Sequence, residues 1–135
     1  MFLTLLKGDE KKNFLELVYY VAEVDGDLAI EEQNMLDEYR REMGLLEADY
    51  EIKSKPYLEI VEDLAESDQE DKNAMFIEML ALIRSDNKKF DDKEKTVVKN
   101  IQEQWNISDN KYHEMMDWLD DLEELYVEAT ELIKN

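Results

Sequence analysis

The sequence predicts an all-α fold: a single helical-bundle domain built from two repeated helix–acidic turn–helix hairpins, plus a long C-terminal helix. Three observations carry that expectation. Apolar residues recur at three and four along most of the 135 residues, the period of one helical face. Three glycines and one proline leave little material for the many tight turns of an all-β domain. The chain also agrees with itself when slid by about 61 residues, the signature of an internal repeat. The length suits one domain. Leu, Ile, Val and Phe number 36, enough to place the chain above compositions that stay disordered.

The first helix is expected from about Asp9 to Val24, with Phe14, Leu17, Val18, Val21 and Ala22 on one face. Asp9 and Glu10 suit its positive N-terminal end, and Asp25-Gly26 stops it. The second runs from about Ile30 to Met43, with Met35, Leu36, Tyr39 and Met43 inward, and Gly44 ends it. Pro56 fits the first turn of a third helix reaching about Glu66. The stretch Glu59 to Asp71 holds seven acids and no base and reads as a solvated helix face plus a loop. A fourth helix is expected from about Glu70 to Arg84, buried through Met75, Phe76, Met79, Leu80, Leu82 and Ile83. A fifth spans about Asp92 to Trp105, with Asp91 and Glu94 spaced as a capping pair. The last begins near Ser108 and continues to Ile133. Its run of Tyr112, Met115, Leu119, Leu122, Tyr126, Ala129 and Ile133 reads as a helix packed along its own bundle. The same run is a seam through which an oligomer would form.

The repeat places Phe14, Leu15, Val18, Val21 and Ala22 on Met75, Phe76, Met79, Leu82 and Ile83, and Asp25 on Asp86. One inserted residue within Asn87-Lys88-Lys89 raises the offset to 62. Leu28 then meets Phe90, Glu32 meets Glu94, Tyr39 meets Ile101, Met43 meets Trp105 and Leu45 meets Ile107. Repeat 1 covers about 10–50, repeat 2 about 70–112, and the C-terminal helix about 109–133. Each hairpin alone is too small to bury its apolar face, so the two are expected to share one core.

Composition narrows function. Acids outnumber bases 36 to 16, a net charge of −20, which repels phosphate backbones and argues against direct nucleic-acid binding. It equally disfavours anionic membrane surfaces and favours divalent cations or a basic protein partner. With no Cys and one histidine, His113, thiol chemistry and a zinc site of the usual kind are not expected. No apolar run reaches a membrane span, and the first residues do not read as a signal peptide. A cytoplasmic protein is the expectation. No phosphate loop, nucleophile motif or histidine pair occurs, so the chain is not expected to be an enzyme.

The acidic turns are the candidate sites. Asp25, Asp27 and Glu32 lead the first, with Glu23 and Glu31 as weaker contributors; Asp86, Asp91 and Glu94 form a weaker second set. Clustered carboxylates are what calcium or magnesium takes. The first turn fits the back half of an EF-hand loop, but Val21 stands where the first oxygen ligand belongs, so binding there would be weak. The turns also have a structural reading without metal. Asp25-Gly26 stops a helix, Leu28 and Phe90 plug the hairpin core, and Glu32 and Glu94 meet the free amides of the next helix.

Asp25-Gly26-x-Leu28-x-x-x-Glu32 after an apolar helix, then Met43-Gly44-Leu45, resembles the TerB-like (tellurite-resistance protein B) superfamily. A second copy reads Asp86, Phe90, Asp91 and Glu94, then Trp105-Asn106-Ile107-Ser108, with Asn87 replacing the glycine. The resemblance covers most of residues 10–120. It implies an all-helical, cytoplasmic bacterial domain tied to tellurite resistance and stress responses, acting through metal ions or as an interaction module. Two further readings stand beside it: a metal-free scaffold, and an acidic DNA mimic that occupies a basic nucleic-acid-binding partner.

Overall fold

A computed structural model describes residues 1–24, 26, 28–85 and 90–134. Among them the regular structure is helical throughout: α1 (Asp9–Glu23), α2 (Ile30–Met43), α3 (Tyr57–Ala65), α4 (Gln69–Arg84), α5 (Asp92–Gln104) and α6 (Asp109–Lys134). Each boundary lies within one or two residues of the expected one. A short 3-10 turn, Leu3–Leu5, precedes them. It was not expected, because three residues are too few to show a period.

α1 is the centre of the bundle and packs on α2, α3 and α4. It buries an unbroken run, Phe14 to Val18, then Val21 and Ala22. A helix covered on several sides needs apolar residues beyond one stripe, and α1 has them. α4 likewise buries Met75, Phe76, Met79, Leu80, Leu82 and Ile83. These side chains, with Leu36, Ile60, Ile101 and Trp105, form one continuous core. Each full burial contributes about 1.5–3 kcal/mol relative to exposure. The N-terminal 3-10 turn lies against α2 and α4 and buries Leu3 completely. The Met1 ammonium there meets Glu42 at 2.6 Å and the buried Glu78 at 2.8 Å.

Two expectations need correction. The apolar run of α6 does not pack along its own bundle for its whole length. Met115 and Leu119 are buried, but Tyr126 is 66% exposed and Ile133 83%. The reason is length. At 1.5 Å per residue the 26 residues of α6 reach about 39 Å, whereas α4, the next longest at 16 residues, reaches about 24 Å. Leu28 does not plug the first hairpin either; it is 40% exposed. Phe90 does pack, half-buried, against the core.

Candidate functional site

The turn that joins α1 to α2 carries the leading candidates. Asp25 and Asp27 lie outside the described residues, as does Asp86 in the second turn. Glu23 and Glu31 are exposed, while Glu32 is 1% exposed. Gly26 has φ 91°, and its N–H donates to the Glu23 carbonyl at 3.0 Å. Ala29 is extended (φ −69°, ψ 156°), and its N–H donates to Glu32 Oε1 at 3.2 Å.

The turn before α5 repeats this with one more bond. Asp91 is extended (φ −75°, ψ 175°) and its N–H donates to Glu94 Oε1 at 3.0 Å. The Glu94 N–H in return donates to Asp91 Oδ1 at 2.7 Å. Glu94 is 5% exposed. Both glutamates therefore reach back to the backbone of the helix start, the half of a capping box that the third helical residue supplies. Ala29 lacks the oxygen that would complete the box, and Asp91 has it. Among the described residues no three His, Cys, Asp or Glu side chains gather closely enough to hold a metal ion.

The C-terminal ends of α2 and α5 close in a shared way that the acidic-turn motifs do not foretell. After α2, Gly44 takes φ 71° and the Leu45 N–H donates to the Arg40 carbonyl at 2.8 Å. The Arg40 guanidinium donates back to the Leu45 carbonyl at 3.0 Å. It also donates to the Tyr50 carbonyl at 2.9 Å and to the Tyr19 hydroxyl at 2.8 Å. After α5, Asn106 takes φ 57°, the Ile107 N–H donates to the Gln102 carbonyl at 2.9 Å, and Gln102 Nε2 donates to the Ile107 carbonyl at 3.4 Å and to Asp109 at 3.0 Å. Arg40 and Gln102 are both buried. They stand 62 residues apart in the sequence, the repeat offset, which is the signal that would have found them.

The first closure has an additional anchor. Glu16 on α1, 2% exposed, accepts from the Tyr50 hydroxyl at 2.6 Å, the Lys53 N–H at 2.8 Å and the Lys55 N–H at 3.3 Å. Burial alone would raise its pKa; the hydroxyl and the two amides outweigh burial and hold it below the usual carboxylate value. Burial and the hydrogen bond to that carboxylate in turn push the Tyr50 phenol up. Nearby, Tyr20 and Tyr57 stack at 4.6 Å, and burial raises Tyr57 to about 12.

α6 is tied to the bundle at Arg84, which donates to Asp120 at 2.5 Å and to the Met116 carbonyl at 3.4 Å. Beside it a groove of about 290 Å3 opens between α2, α4 and α6, floored by Met35, Ala81, Leu119, Leu122 and Tyr126. A more polar hollow of about 450 Å3, lined by Gln69, Asn73, Asn106, Ser108 and Lys111, lies between the ends of α4, α5 and α6. His113 is exposed and lines neither. No helix among the described residues is long and apolar enough to cross a membrane. Comparison with protein families, curated proteins and solved structures finds no match to the chain.

Proposed function

We propose that this chain is a non-enzymatic, acidic helical module that works by binding another protein, in the manner of the TerB-like domains its two turn motifs resemble. One observation carries the reading. Four large apolar residues on one face of α6, Leu125, Tyr126, Leu132 and Ile133, stand more than half exposed. Contiguous exposed apolar surface of that kind marks an interaction site. The buried acids also support a non-catalytic reading. Glu16 holds a loop, Glu32 and Glu94 hold helix starts, and Asp71 holds Lys7 at 2.7 Å.

The two-hairpin architecture belongs to the same proposal. It is supported by the capping glutamates Glu32 and Glu94, and by the paired closures at Gly44 and Asn106. A place in tellurite-resistance or stress processes, and a bacterial cytoplasmic setting, follow from the resemblance alone. The full chain, fluorescently labelled and added to an extract of its source cells at physiological salt, is expected to migrate in size exclusion as a discrete larger complex. Migration at the size of the free chain overturns the interaction reading.

The cation reading of the first turn rests on the sequence pattern at Asp25, Asp27 and Glu32. Glu32 is engaged by the Ala29 amide, so its substitution would disturb the helix start as well as any ion. Calcium calorimetry on Asp25→Asn with Asp27→Asn leaves that cap in place. A stoichiometric heat lost in this variant supports a site. An unchanged heat reports only the diffuse counterions that a charge of −20 gathers.

A further inference from the structure

We propose that the free half of α6, residues 120–134, with the groove at its root, is the docking face for a basic amphipathic helix of a partner protein. The inference rests on the interaction reading above and names its surface and its partner chemistry. At 100° per residue, Leu122, Leu125, Tyr126, Ala129, Leu132 and Ile133 fill one arc of α6, roughly 120° wide. Asp121 and Glu128 flank one edge, and Glu123, which also pairs with Arg84 at 3.5 Å, lies beyond the other. The arc is continuous with the groove floor at Leu119 and Leu122, so a helix laid along it would run from the bundle wall to the end of α6. Fifteen residues at 1.5 Å each give it a length of about 22 Å, four turns of a partner helix read at i, i+3, i+4 and i+7.

Charge selects the occupant. This segment holds Asp120, Asp121, Glu123, Glu124, Glu128 and Glu131 against one base, Lys134. Asp121, Glu124 and Glu128 are exposed and carry no ion pair among the described residues. A second copy would bring Asp121, Glu123 and Glu128 again to the margins of the same stripe, where like charges oppose pairing. An anionic lipid surface is repelled for the same reason, and helices that lie on membranes carry basic polar faces. A helix with Lys or Arg beside its apolar stripe meets both demands. It covers the leucines, tyrosine and isoleucine, and it pairs the flanking carboxylates.

The probe is a synthetic 18-residue peptide with Leu at the a and d heptad positions and Lys at e and g. The same peptide with Glu replacing Lys, and a sequence-scrambled Lys/Leu peptide, are the controls. Calorimetry on the full chain at physiological salt is expected to show one saturable site for the Lys peptide and none for either control. Hydrogen exchange should slow in residues 119–133 and nowhere else. Tyr126→Ser with Ile133→Ser, and separately Asp121→Lys with Glu128→Lys, should each weaken binding about ten-fold or more. All four side chains are exposed, so circular dichroism should be unchanged. Binding that survives the Ser pair would make the contact a counterion effect and overturn the proposal. So would sedimentation of the free chain as a dimer that the Ser pair dissolves, which would make a second copy the occupant. A complex in extract that survives both variant pairs would overturn this face yet leave the interaction reading standing. Absence of any complex in extract would remove the reading itself.

Discussion

The C-terminal ends of α2 and α5 close alike but not with equal strength, and the difference lies in one side chain. Arg40 closes the first by reaching three oxygens: the Leu45 and Tyr50 carbonyls and the Tyr19 hydroxyl. Its guanidinium also lies 5.2 Å from the Tyr19 ring centre. Gln102, at the matching place, reaches the Ile107 carbonyl and Asp109. The residues that follow explain the difference. Eleven residues separate Leu45 from Tyr57, where α3 starts, and they must return to the bundle, whereas α6 starts two residues after Ile107. A longer irregular segment has more backbone groups to satisfy, and a rigid five-donor fork satisfies more of them than an amide can.

Removing the two locks is the strongest way to break that comparison. Arg40→Ala leaves the buried Tyr50 carbonyl, the half-buried Leu45 carbonyl and the Tyr19 hydroxyl without this donor and should cost about 3 kcal/mol. Gln102→Ala should cost about 1 kcal/mol. Urea unfolding of the full chain measures both. Arg40→Gln should recover about half of the loss, because the amide can still reach the Leu45 carbonyl as Gln102 reaches Ile107. Equal costs at the two positions would mean that the closures are equivalent and that the longer segment is held by other contacts.

Glu16 sharpens the comparison through pH. Its folded pKa lies below the ordinary carboxylate value of 4.5. A depressed carboxylate contributes stability that is present above its unfolded pKa and lost as pH falls through the folded one. Glu16→Gln keeps the shape but weakens the bonds to the Tyr50 hydroxyl and the Lys53 and Lys55 amides, and should cost about 2 kcal/mol at pH 7. Wild type should lose that advantage as the pH is taken below 4.5, so the two urea midpoints converge in acid. Ile77 stands 61 residues after Glu16 and carries no carboxylate, so the effect of Gln102→Ala should show no such convergence. Parallel midpoints for Glu16→Gln and wild type across that range would show that Glu16 is not the titrating anchor.

What could be read from the sequence, and what could not, follows from the same residues. The helices were legible because apolar period and glycine stops are local. Glu32 and Glu94 were legible as helix-start residues because a capping glutamate acts within three residues of its partner. Glu16 and Arg40 were not, because a charged letter on an amphipathic helix reads as solvated until a loop from elsewhere covers it. Tyr50, 34 residues from Glu16, is what covers it. α6 failed differently. Its three-and-four pattern is the same whether its own bundle or another chain covers it, and only the lengths of the neighbouring helices decide.

The smallest differences lie at the other ends of α2 and α5, in the helix starts. Asp91 accepts the Glu94 N–H at 2.7 Å, so Asp91→Ala should cost about 1 kcal/mol. At the matching place Ala29 already has the backbone of a capping residue, extended as Asp91 is, and lacks only the oxygen. Ala29→Ser places a hydroxyl where it can accept from the Glu32 N–H, with the Glu32 carboxylate already bonded to the residue-29 N–H. It should stabilise the chain by about 0.5–1 kcal/mol, visible as a higher urea midpoint with an unchanged slope. Ala29→Gly separates the hydroxyl from backbone effects, since glycine caps by conformation alone and should not reproduce the full gain. If Ala29→Ser is neutral while Asp91→Ala is costly, the first turn is held by contacts other than its cap, and the likeness of the two helix starts ends at their glutamates.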